Sequence, residues 1–199
     1  LADDPSVPAV PDFCIGTAAM VFNPKAEWQP SSLLAKVEAG ARFIQTQLCF
    51  DMAALRRYMT HLVEAQLTWR CAIIVSVATL PSAVSARWLR KNLRGSLVPM
   101  KVVRRLEQAR DPELEGVTIC AEMLQELGEI PGVSGANLLT PGDPETVTAA
   151  IRAAGPLRAR QSRTSASSGM GTSGVAAAGT ANITISGSRN RSNWPAITM

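Results

Sequence analysis

Short apolar runs alternate with helical patterns along the first 155 residues, and this alternation restricts the fold more than any other property of the chain. The runs lie near residues 13–20, 43–50, 72–79 and 133–139. Between them apolar residues recur at helical spacing: Leu55, Met59, Leu62 and Val63 share one face, and Val117, Cys120, Met123, Leu124 and Leu127 share another. Strands separated by helices imply parallel pairing, because the helix carries the chain back to the start of the next strand. The expected class is therefore α/β, with four β/α units over residues 13–155. A complete (β/α)8 barrel takes about 250 residues. Four units predict half of such a TIM-type barrel, with open sheet edges.

The stretch from Lys36 to Asp51 carries the most chemistry. Lys36 falls in the last turn of a helix, where a cation suits the negative helix end, and Gly40 can take the left-handed conformation that follows it. The apolar run Phe43–Phe50 is then interrupted by Gln45, Thr46 and Gln47. A parallel strand buried on both faces should be apolar almost throughout, and burying amides costs free energy unless each finds partners. Asp51 can N-cap the helix from Met52. Polar groups at the carboxyl end of a parallel strand are where α/β proteins bind ligands. The competing reading is a buried helix–strand unit whose amides satisfy neighbouring backbone.

The other units follow the same logic. Phe13–Met20 is read as a buried strand whose small residues, Gly16 to Ala19, let a ligand approach the backbone or simply pack closely. Ser31 or Ser32 is expected to cap a helix over 33–39, and Thr79-Leu80-Pro81-Ser82 is read as a turn with capping residues before a helix that runs through Arg90. Val98-Pro99 leads into a short helix, and Asp111-Pro112 and Asp143-Pro144 open two further ones.

Composition excludes several functions. Hydrophobic residues make up 46% and mean hydropathy is +0.08, with no apolar run near the roughly 20 residues of a membrane span. The net charge is +4, but five arginines lie beyond Pro156, leaving 15 basic against 16 acidic residues in positions 1–155. A domain-wide nucleic-acid face is not expected. Cys14, Cys49, Cys71 and Cys120 show no C-x-x-C spacing and are read as buried, reduced thiols. His61 is the only histidine, which excludes histidine-rich metal sites, and it is expected to be a partly exposed helix residue. The start, Leu-Ala-Asp-Asp-Pro, has no basic-then-apolar pattern. It is read as a chain that begins inside a longer product located in the cytoplasm. Residues 1–12 are read as a linker. Residues 156–199, rich in Ser, Gly, Ala, Thr and Arg, are expected to be a disordered tail unrelated to the fold.

Lys36-Val37-Glu38-Ala39-Gly40-Ala41, followed by Phe43-Ile44-Gln45-Thr46-Gln47 and Phe50-Asp51, resembles the sixth β/α unit of the methylenetetrahydrofolate reductase family. The resemblance continues in Cys14-Ile15-Gly16-Thr17-Ala18-Ala19, in Val98-Pro99 and in Glu129-Ile130-Pro131-Gly132-Val133-Ser134-Gly135. It implies strands five to eight of a flavin-binding barrel. Such enzymes pass hydride from NADH or NADPH to FAD, and from the flavin to 5,10-methylenetetrahydrofolate, giving 5-methyltetrahydrofolate. By the same resemblance Gln47 contacts the folate pterin, Lys36 lies near the FAD phosphates, Ala18 backs the flavin and Gln45 touches FAD. Trp88 or Leu89 lies near the apolar contact to the substrate's aminobenzoyl portion, and Trp88 reads equally well as a helix residue packed on the barrel.

Departures are also visible. Met20-Val21-Phe22-Asn23-Pro24 stands where better-known members carry Tyr-Pro-Glu, and Val75-Ser76 replaces a Pro-Gly turn, as in a divergent branch. The family's general acid is a glutamate on strand one, and an aspartate on strand four sits by the flavin. The resemblance includes neither of those strands and nothing in residues 1–155 can be matched to the acid, so no catalytic residue is expected in this chain. The implied partners are a folate substrate and either a homo-oligomer or the missing half-barrel. The alternative is a non-catalytic half-barrel that binds a pterin or docks onto another subunit. A pterin-binding methyltransferase barrel fits the stretch around Gln47 less well.

Overall fold

The computed structural model describes residues 13–156 and the backbone of 182–185. Five strands form one parallel sheet in sequence order: β1 (Gly16–Ala19), β2 (Phe43–Thr46), β3 (Ala72–Ala78), β4 (Gly135–Leu139) and β5 (Asn182–Ile185). The helices are α1 (Ser31–Glu38), α2 (Met52–Glu64), α3 (Ala83–Asn92), α4 (Met100–Gln108), α5 (Pro112–Gly128) and α6 (Glu145–Ala154). This is the α/β alternation that the sequence implies, a partial (β/α) barrel.

Local chemistry sets the helix ends. The Asp51 carboxylate accepts from the Ala54 N–H at 3.0 Å, Asp111 from Leu114 at 3.0 Å, and the Ser82 hydroxyl from Ser85 at 3.2 Å. Gly40 follows α1 with φ +108°, a conformation that L side chains rarely adopt. The expected Ser31 or Ser32 cap is corrected: α1 starts from Pro30, whose carbonyl receives the Leu33 and Leu34 N–H groups at 2.9 Å. With that turn already closed by backbone, neither serine caps it.

Successive residues of a strand face opposite sides, and parallel partners share a side. Ile44, Thr46, Ile73, Val75, Val77, Ala136 and Leu138 are all buried against the helices. There they join Leu55, Met59, Leu62, Leu89, Ile119, Cys120 and Leu124 in one core. Gly16, Ala18, Phe43, Gln45, Ala72, Ile74, Ser76 and Asn137 lie on the other side, the barrel interior. Gly16, Ala18, Gln45 and Ala72 are exposed there.

Several expectations are corrected at the sheet edge and in the tail. The buried strand expected over Phe13–Met20 is a four-residue edge strand, with Phe13 72% and Ile15 56% exposed. Its only strand neighbour among the described residues is β2, so one edge lacks the cover that burial requires. For the same reason Cys14 is exposed, while Cys49, Cys71 and Cys120 are buried and all four are free thiols. Asn182–Ile185 pairs with Gly135–Leu138 as β5, a strand that the tail's composition did not suggest. The other tail residues from 157 onward, and residues 1–12, lie outside the described residues.

Candidate functional site

A cleft of about 870 Å³ runs along β1 toward the carboxyl ends of the strands, within the size range of small-molecule sites. Its inner wall is Gly16, Ala18, Phe43, Gln45, Gln47 and Ser76. The segment between β1 and α1 adds Met20, Phe22, Trp28 and Gln29, and α1 adds Ser32 and Lys36. Arg94, in the connection from α3 to α4, completes the rim.

Gly16 is required where it stands. A Cβ there would meet the Phe43 ring at 2.1 Å, because that ring closes over the glycine. Ala18, one step along the same face, leaves its side chain as a flat, exposed floor beside Gln45, its partner in β2. Lys36 reaches back from α1 so that its Nζ donates to the Ala18 carbonyl oxygen at 3.4 Å. That carbonyl is on the edge of β1, and a lysine covering a free edge also guards it against strand addition.

The glutamines differ. Gln47 Oε1 accepts from the Leu48 N–H at 3.0 Å, which leaves the amide N–H groups as the donors available in the cleft. Gln45 is exposed, and its amide makes no hydrogen bond among the described residues. Thr46, which interrupts the same run, is buried and satisfied: its Oγ1 accepts from the Ser76 N–H at 3.0 Å. Ser76 is a polar knot at the cleft floor. Its carbonyl receives the Cys49 N–H at 3.0 Å, and its hydroxyl oxygen accepts from the Asn137 amide at 3.2 Å. Polar residues in the run from Phe43 thus either point into the open cleft or are paired across strands.

Beyond Ala18 the wall is aromatic. Phe22 meets Trp28 edge-on at 5.0 Å and Tyr58 at 5.5 Å, while Trp28 stacks on Tyr58 at 5.4 Å and meets His61 at 5.7 Å. Pairs of this geometry add modest stability beyond their burial. Burial pushes the Tyr58 hydroxyl up to about 12, and burial above all, opposed by the Asp51 backbone, pushes the Cys49 thiol to about 12. Neither group ionises at neutral pH.

Of the residues singled out from the sequence, Ala18, Lys36, Gln45 and Gln47 meet in this one cleft. Trp88 and Leu89 do not line it. Leu89 is fully buried in the core, and Trp88 is half-buried and packed against that core. Phe22, Trp28, Tyr58 and Arg94 escaped the sequence reading, since none belongs to a motif and the fold alone brings them together. Among the described residues no Asp or Glu lines the cleft and no cluster could hold a metal ion. None of their helices is long and apolar enough to cross a membrane.

Comparison with known proteins agrees with this arrangement in one decisive respect. No curated protein matches the chain. Among solved structures, an uncharacterized protein from Clostridium thermocellum described as binding two copies of 5-methyl-5,6,7,8-tetrahydrofolic acid is 16% identical, with a TM-score of 0.46. The match covers 62% of this chain and 46% of that one, so the chain spans about half the length of that protein. The methylenetetrahydrofolate reductase profile matches residues 9–154, which takes in every strand and helix from β1 to α6. The chain therefore belongs to the methylenetetrahydrofolate reductase family.

Proposed function

We propose that these residues form the folate-binding and flavin-binding half of a methylenetetrahydrofolate reductase. The observation that carries this reading is the convergence of Ala18, Lys36, Gln45 and Gln47 in one cleft, in a chain of that family. Gln47 would donate its amide hydrogens to an acceptor on the pterin edge, its own carbonyl being engaged by Leu48.

The cleft suits FAD in its donor set and shape. Ala18 offers a floor with no side chain beyond Cβ, and Lys36 supplies a cation beside it. Ala18, Lys36 and Gln45 would hold the flavin, which when bound supplies the hydride chemistry between NAD(P)H and 5,10-methylenetetrahydrofolate. The work of this chain is to bind and orient. Substrate protonation needs a positioned carboxyl group, and none lines the cleft among the described residues. The same observation favours a second reading, a half-barrel that binds the pterin without turning it over.

The test is a titration of the purified chain with FAD and with 5-methyltetrahydrofolate, followed by exposure of the FAD-bound sample to NADH or NADPH. Binding of both, with a flavin spectrum bleached by the nucleotide, supports the reductase. Folate binding alone supports the second reading. Binding of neither refutes both.

A further inference from the structure

At the carboxyl ends of the strands, the connection from α3 to α4 is tied down by a parallel bridge between Leu97 and Cys49. At the amino ends lies a separate groove of about 690 Å³. Gly40 and Arg42 line it from just before β2, Trp69 and Arg70 from just before β3, and Ser134 from just before β4. No Asp or Glu lines it among the described residues.

Trp69 is 82% exposed, yet its backbone is held firmly. It closes a single 3-10 turn, Leu67–Trp69, whose first residue is fully buried. The turn starts from Gln66, at φ +56° the one non-glycine residue with positive φ among the described residues. Such a conformation persists only where its surroundings enforce it. The Cys71 N–H donates to the Leu67 carbonyl at 3.1 Å, and Thr68 packs so near Gly132 that a Cβ there would meet its methyl group at 2.7 Å. Two arginines flank the ring. Arg70 lies 3.8 Å from Glu38, a largely solvated pair that contributes little. The Arg42 side chain is exposed and makes no ion pair or hydrogen bond among the described residues. A tryptophan held rigidly in water beside arginines is the composition of an interface hot spot, which gains its energy once a partner excludes the water.

The chain carries a segment of matching chemistry. Residues 1–12 include Asp3, Asp4 and Asp12 and no lysine or arginine, and prolines recur at Pro5, Pro8 and Pro11. A polyproline II helix has three residues per turn, so this spacing puts all three prolines on one edge. Segments of that pattern dock on aromatic grooves because little conformational freedom remains to be lost. The segment also leads to the right place. Phe13 follows it, and two residues further on the Ile15 carbonyl receives the Arg42 N–H at 2.8 Å. Neighbouring strands lie about 4.8 Å apart, so the start of β3 is roughly 10 Å from β1. Twelve residues of polyproline helix span about 37 Å, which is ample.

We propose that residues 1–12 dock in this groove of their own chain, with the proline edge on Trp69 and the aspartates toward Arg42 and Arg70.

The experiment measures acrylamide quenching of Trp69 in the full chain, read as the difference between its emission and that of the Trp69→Phe variant. At low salt Trp69 should be quenched less than free tryptophan amide. Replacing the acids, as Asp3→Asn, Asp4→Asn, Asp12→Asn, should lower the ratio of docked to free segment about fivefold, the sum of a few exposed pairs. High salt should act in the same direction. The variant Arg42→Gln, Arg70→Gln approaches the contact from the other side and should reproduce that loss with an unchanged melting curve, since both side chains are exposed. Quenching equal to that of the free amide in the unaltered chain overturns the proposal, as does shielding that neither salt nor either variant moves. Shielding that disappears on dilution assigns the groove to a second copy and overturns docking within one chain.

Discussion

The Asn137 side-chain amide donates to the Ser76 hydroxyl oxygen across 3.2 Å, and both residues are 2% exposed. This bond ties β4 to β3 on the interior side of the sheet, directly beneath the cleft. Asn137→Ala removes the donor and leaves a small void, so we expect a loss of about 1–3 kcal/mol in urea unfolding. A change below about 0.5 kcal/mol would mean that the bond contributes little. Asn137→Leu should recover part of the loss by filling the space, provided the Ser76 hydroxyl finds another partner.

Gly116 faces the Leu80 carbonyl so closely that a Cβ would lie 1.9 Å from its oxygen. This contact sets the approach of α5 to the end of β3, and the obstacle is backbone, which cannot swing aside. Gly116→Ala should destabilise the protein by at least about 2 kcal/mol despite the better helix propensity of alanine. Thermal melts followed by circular dichroism would show it. An unchanged melting temperature would place α5 farther from Leu80.

Burial raises the Cys49 and Cys120 thiols from 9.0 to about 12, and the Tyr58 hydroxyl from 10.0 to about 12. In each case the folded state holds its proton more tightly than the unfolded chain does. Stability from these groups is therefore fully present below about pH 9 and is lost as pH rises toward 12. Melting temperatures should be flat from pH 7 to 8.5 and fall steeply above that. The same burial predicts that a thiol reagent at pH 8 labels Cys14 rapidly and the other three only with denaturant.

Gln47→Ala should weaken 5-methyltetrahydrofolate binding up to about tenfold, the effect of one lost hydrogen bond, and change FAD binding less than twofold. Gln45→Ala should show the opposite preference. Equal losses for both ligands in both variants would mean that the glutamines shape the cleft without dividing its ligands.

The exposed edge of β1, with Phe13 and Ile15 outward, should make the chain self-associate as concentration rises. Ile15→Lys places a charge on that edge and should lower the associated fraction in sedimentation without altering the melt.

The units of the fold were legible because each carries its own local signal. Asp51, Ser82 and Asp111 cap the helices assigned to them, and the apolar period of α5 survives intact. The puzzle of Gln45, Thr46 and Gln47 in an apolar run was legible as a puzzle, but its solution needed the register. Thr46 is satisfied by Ser76, thirty residues away, and the two glutamines lie on the side that the helices do not cover. The strand at Gly16–Ala19 reads as buried from its residues alone, because sequence records apolarity and not the presence of a neighbour. Phe22 and Trp28 come from the connection between β1 and α1, Tyr58 from α2 and Arg94 from the connection between α3 and α4, and no local pattern joins them.

The bridge from Leu97 to Cys49 also sets a time scale. The rim that carries Arg94 is a connection between helices, and such connections ordinarily fluctuate in nanoseconds to microseconds. Here the Leu97 N–H is bonded to the Leu48 carbonyl and the Phe50 N–H to the Leu97 carbonyl, in a bridge just beyond the second strand. Moving the rim outward means breaking both of these bonds, so the two amides should exchange with solvent far more slowly than those of an untethered connection. The side of the entrance that carries Arg94 is thus shaped before a ligand arrives.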